Sequence, residues 1–167
     1  MKILLKGAII VVALVIQLTL INSVTILGLK PDLILIVIVI FSLLKGAKEG
    51  TISGFASGLL QDIFSIGLLG INALAKTVIG FTCGILKEKI FYEHILFLIP
   101  VITFIASFIQ SILIFLLLRA FGIEYNLAWS LKQVALPEAL YSSLLSPFIF
   151  LVINKLFQMI EEQKLKS

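Results

Sequence analysis

"GAKEGTISGFASGLLQD", residues 46–62, places glycine at 46, 50, 54 and 58, one at every fourth position. In a water-soluble helix each would cost about 1 kcal/mol relative to alanine. Positions four apart lie along one helix face, drifting slightly with each turn. A face without side chains lets another backbone come close. Dispersion contacts and weak Cα–H bonds then hold helices together in surroundings that lack water. The stripe Gly50, Gly54 and Gly58, with Phe55 beside it, predicts a packing face on a membrane helix, and Gly46 falls in the turn before it. Gly80 and Gly84 repeat the spacing on a later segment. Two occupants of the face are open: another helix of this chain, the simpler reading, or a partner.

The surrounding composition agrees with lipid as the solvent. The chain has 167 residues, of which 60% are hydrophobic and only 13% charged, against about 25% charged in a soluble domain. The apolar residues come in long blocks, which predicts an all-α, polytopic membrane bundle forming one domain over residues 1–167. Six transmembrane segments are expected, at about 7–27, 33–44, 50–63, 70–86, 95–118 and 138–157. Lys2 and Lys6 precede the first block. Its run exceeds the roughly 7–15 residues of a signal core and lacks a small-residue cleavage site, so it reads as an uncleaved span. The second and third segments are short for a core about 30 Å thick. Either the bilayer thins and lysines snorkel around them, or the two form a re-entrant hairpin. Residues 127–136, "LAWSLKQVAL", mix polar and apolar positions and are expected in the interface. The last span is expected to start at Pro137, a favoured first helical position, followed by Glu138, which suits the helix dipole.

Six crossings place both termini on one side. Nine lysines fall there (residues 2, 6, 45, 48, 87, 89, 155, 164 and 166), against Lys30, Arg119 and Lys132 opposite. The positive-inside rule then makes the termini cytoplasmic. No basic tract with interleaved aromatics is present, which argues against nucleic acid.

Polar residues within the spans are the remaining candidates. Asp62 follows Gly58 by one turn on nearly the same face, and Lys76 is the one base inside a span. An Asp62–Lys76 ion pair within the bundle is the structural expectation; a proton or substrate site, or snorkelling of both groups, are the alternatives. Asn22, with Gln17, Thr19, Ser23 and Thr25, makes half of the first span polar. Glu138, Ser142 and Ser146 do the same on the last. Pro31, Asp32 and Gly70 mark turns, and Pro147 marks a kink. His94 is the sole histidine and Cys83 the sole cysteine. No metal-ligand spacing or phosphate-binding loop occurs. No catalytic, cofactor-binding or metal-binding residue is assigned.

"KPDLILIVIVIFSLLKG" followed by "EGTISGFASGLLQDIFSIGLLGINAL" resembles the MreD family of bacterial rod shape-determining proteins. There, a Pro-Asp dipeptide opens an apolar span, followed by a Gly-x-x-x-Gly-Phe-x-x-Gly-Leu-x-x-Asp run and a Leu-Gly-x-x-Ala turn. The matching positions are Pro31, Asp32, Gly50, Gly54, Phe55, Gly58, Leu59, Asp62, Leu69, Gly70 and Ala73. "LPEALYSSLLSPFIF" is similar to the family's last span through Pro137 and Pro147. Lys76 departs from the pattern, which has an apolar residue there. The resemblance implies a non-catalytic, multi-pass scaffold of the bacterial cytoplasmic membrane. It implies binding of the bitopic protein MreC and a link between MreB filaments and the peptidoglycan synthases RodA and a class B penicillin-binding protein. It also implies a fold similar to the substrate-binding subunits of energy-coupling-factor vitamin transporters. That likeness supplies the competing function, a small-molecule binder with Asp62 and Asn22 as ligand contacts. An intramembrane hydrolase is disfavoured for want of paired acids.

Overall fold

A computed structural model describes residues 2–20, 30–65, 67–89, 95–123 and 126–165. The described residues form helices, without a strand. In chain order these are α1 (Lys2–Leu20), α2 (Leu33–Lys45), α3 (Ala47–Phe64), α4 (Ile71–Leu86), α5 (Ile95–Ala120), α6 (Leu127–Ser130) and α7 (Leu136–Leu165). The expected all-helical bundle is the observed one.

The centre of the bundle is α2. Its sequence, LILIVIVIFSLLK, is apolar on every side apart from Ser42 and its terminal lysine, and a helix apolar all round is a buried helix. Every residue from Leu33 to Leu44 is buried, and α1, α3, α4, α5 and α7 all touch it. At 13 residues it is about 20 Å long. Its shortness needs no thinned bilayer, because protein rather than lipid surrounds it. Phe41 meets Phe157 of α7 edge to face, with ring centroids 5.8 Å apart.

A single residue, Gly46, joins α2 to α3. Its φ of 95° lies where a side chain is strained and glycine is not, so the chain reverses there within one residue. Gly50 then faces Ser42 of α2. The Ser42 hydroxyl donates to the Ile38 carbonyl at 2.7 Å, which lets a polar group sit at a wholly buried position.

The last helix begins earlier than the sequence predicts. Leu127–Ser130 is α-helical and residues 131–135 form a π turn that runs directly into α7, so Pro137 lies inside a continuous helical run rather than at its start. A proline cannot donate to the preceding turn. The ladder widens just before it, with the Leu136 N–H bonded to the Leu131 carbonyl, five residues back, as in a π-bulge. Pro147 is also inside α7 and leaves the Ser143 carbonyl without its usual donor. The Ser146 hydroxyl fills that place at 2.7 Å.

Polar side chains are buried here while large apolar ones are exposed, as suits a surface that meets lipid. Lys76, Ser57, Thr103, Ser107, Ser142 and Ser146 are wholly buried, whereas Phe97, Leu69, Leu144 and Phe148 are each at least 69% exposed. Among the described residues, two helical runs, Ile95–Ala120 and Leu131–Met159, are long and apolar enough to cross a membrane.

Candidate functional site

Three arrangements concentrate the unusual chemistry: a glycine seam, two buried carboxylates and an apolar groove.

The seam joins α3 to α4. A Cβ added at Gly50 would strike the Gly80 carbonyl, one at Gly54 the backbone of Lys76 and Thr77, and one at Gly58 the Ala73 Cα at 2.6 Å. Gly84 likewise abuts Ala47. Contacts that advance by four along α3 retreat by four along α4, so the helices run antiparallel with backbone against backbone. The face predicted from the stripe is thus covered by a helix of the same chain. Phe55, at 51% exposure, points away from this seam.

Asp62, at the end of α3, reaches across to the start of α4. One of its oxygens accepts from the Gly70 N–H at 2.9 Å and the Ala73 N–H at 3.0 Å. The other accepts from the Asn72 N–H at 3.1 Å and the Asn72 Nδ2 at 2.9 Å. A helix start carries unpaired N–H groups and a partial positive charge, so this buried carboxylate acts as a remote cap. Asp62→Ala is expected to lower unfolding stability by about 2 kcal/mol, because four buried or half-buried donor bonds lose their acceptor together. Asp62→Asn should recover part of that loss. Thermal unfolding in mild detergent checks the order.

Lys76 does not pair with Asp62, contrary to the sequence expectation; Asp62 is already occupied by backbone donors. The Lys76 ammonium pairs instead with Asp32 Oδ2 at 2.5 Å and donates to Gln110 Oε1 at 3.1 Å. Gln110 Nε2 returns a bond to the same Asp32 oxygen at 2.8 Å. Lys76 is 0% and Asp32 3% exposed. A buried ion pair is favoured where further hydrogen bonds help to satisfy its charged groups, and Gln110 closes such a triangle between α4, α5 and the start of α2.

Asp32 also fixes where α2 begins. Its Oδ1 caps the Leu35 N–H at 2.9 Å, and its own N–H donates to the Ser142 hydroxyl of α7 at 3.1 Å. Gln17 of α1 accepts from the Ile34 N–H at 3.1 Å, and the Pro31 carbonyl accepts from Leu33. Each N–H at this buried helix start therefore has a partner. Glu138, partly buried on α7, interacts electrostatically with both Asp32 and Lys76. Asp32 thus does more than mark a turn: it ties the start of the central helix to α4, α5 and α7, and the Ile34 N–H adds α1.

Sequence reasoning passed over Gln110 altogether. The available signal was its position three residues after Ser107 and seven after Thr103, a polar face on an otherwise apolar helix. Asn22, Ser23, Thr25 and His94 lie outside the described residues.

Between α1 and α7, both resting on α2, lies a groove of about 550 Å³. Its floor is Ala13, Leu33 and Val37; its walls include Val12, Phe148 and Val152. The lining is apolar almost throughout.

Comparison with known proteins gives a family match. The sequence model of the family described as rod shape-determining protein MreD covers residues 1–160. No curated protein and no solved structure matches the chain, so the likeness to transporter subunits has no structural support. With nearly its whole length matched, from the buried α2 to the end of α7, the chain belongs to the MreD family of rod shape-determining proteins.

Proposed function

We infer that this chain serves rod-shape determination as a non-catalytic scaffold in the bacterial cytoplasmic membrane. It forms one six-span domain with both termini cytoplasmic and binds MreC, linking MreB filaments to RodA and a class B penicillin-binding protein. The family match over residues 1–160 carries this reading. The chemistry of the interior supports it. The glycine face is covered by α4, and Asp62 and Asp32 are both engaged by groups of the same chain. Partner contact then falls to the outward apolar faces of α3 and α4, where Phe55 and Phe81 are each 51% exposed. A hydrophobic face of this kind seats a single transmembrane helix by dispersion contacts.

MreC is expected to co-purify with the wild-type chain from mild detergent. It should be lost, by at least about tenfold in recovery, from a Phe55→Gln/Phe81→Gln variant that is produced and unfolds normally. Undiminished MreC on that variant rejects the surface; absence of MreC from the wild type rejects the scaffold.

A further inference from the structure

The groove between α1 and α7 has a second property besides its apolar lining: one of its ends is basic. The lining runs from Ala8 to Ile16 on α1 and from Leu145 to Leu156 on α7. At 1.5 Å per residue these walls are about 12 and 16 Å long. That is the depth of one leaflet, about half of a 30 Å hydrocarbon core. A transmembrane helix seated there would lie against a wall only half its length, whereas one acyl chain matches it.

The end defined by Ala8 and Leu156 is where the lysines gather. Lys2 and Lys6 occupy the first turns of α1, just before Ala8. Lys155 is exposed and directly precedes Leu156. Lys45, at the end of α2, lies with its ammonium 4.9 Å from the ring centroid of Phe157. The nearest acids on α7, Glu161 and Glu162, are six and seven residues past Lys155, about 9 Å further along the helix. Near the opposite end only Lys30 is close in sequence, and the carboxylate next to the groove floor, Asp32, is held by Lys76.

We propose that this groove is a binding site for an anionic phospholipid, with one acyl chain lying along α2 between α1 and α7 and the headgroup phosphate at the basic end, between the first turns of α1 and Lys155. The apolar lining accounts for the chain. The basic rim accounts for the choice of headgroup, since juxtamembrane lysines and basic pockets between helices attract anionic lipid. The proposal rests on the membrane placement above and not on any protein partner.

The test uses the full-length protein, delipidated in dodecylmaltoside, and thermal unfolding as the readout. Dioleoylphosphatidylglycerol and dioleoylphosphatidylcholine are titrated in parallel. Phosphatidylglycerol is expected to stabilise at concentrations more than tenfold lower, each lysine contributing about fivefold. Lys6→Gln/Lys155→Gln should bring the two lipids level without changing the unfolding temperature of the lipid-free protein. Lys132→Gln, away from the groove, should keep the preference. Val12→Trp/Val152→Trp, which fills the groove, should weaken both lipids by tenfold or more. The proposal is overturned if the wild type does not discriminate between headgroups, or if the double glutamine variant still does. Light scattering that finds a second copy covering the groove, or a co-purified protein helix cross-linked into it, overturns it as well.

Discussion

Gly54→Leu is expected to abolish the folded protein. A Cβ at this position alone would sit against the Lys76 carbonyl, 2.8 Å from the Lys76 carbonyl carbon and 3.2 Å from Thr77 Cα. These are backbone atoms of α4 and cannot rotate away. Three further carbons would force α3 and α4 apart along their whole seam, and overpacking of even a methylene or two costs about 1–3 kcal/mol. The seam cannot open locally, because Gly50, Gly58, Gly80 and Gly84 are in register with it. A cost above about 3 kcal/mol is a large share of a total stability near 5–15 kcal/mol. Gly54→Ala should be intermediate. Gly7→Ala, where nothing lies within 4 Å of an added Cβ, should be neutral or stabilising through helix propensity alone. The yield of monodisperse protein from membranes and its unfolding temperature report the series. A Gly54→Leu protein of wild-type yield and stability would show that α3 and α4 are not in backbone contact.

Lys76→Met carries the second large effect. Methionine has nearly the volume of the lysine stem but leaves the Asp32 carboxylate buried with only Gln110 and the Leu35 N–H as donors. Breaking a buried pair by removing one partner costs about 3–5 kcal/mol, more than the pair's net contribution, because the surviving charge is left uncompensated. Asp32→Asn combined with Lys76→Met should recover most of the loss. The double variant keeps the volume and removes both charges, and such replacements are often close to neutral.

What the residues disclosed before any coordinates follows physical range. The glycine stripe, the turn at Gly46 and the approximate extents of the helices depend on spacing along one helix, and spacing is visible in a sequence. The pairing of Lys76 was not. Asp32 and Asp62 both stand at helix boundaries, 44 and 14 residues away, and local sequence does not rank them. The deciding fact is that Asp62 spends its lone pairs on the start of α4, a contact made eight to eleven residues downstream through a turn. The central place of α2 had a signal that was read differently. Its apolar residues on all sides indicate burial by protein, yet its shortness suggested a span in difficulty with lipid. Pro137 misled because a proline at a helix start and a proline after a π turn share one local sequence.

The central claim is that the bundle is organised around α2, with the start of that helix locked by Asp32 and Lys76. Two double-mutant cycles in the same detergent, one pairing Asp32→Asn with Lys76→Met and the other Asp62→Asn with Lys76→Met, test it most directly. The account predicts a coupling of about 2 kcal/mol or more between positions 32 and 76, and additivity within about 0.5 kcal/mol between 62 and 76. Additivity in the first cycle with strong coupling in the second would contradict it.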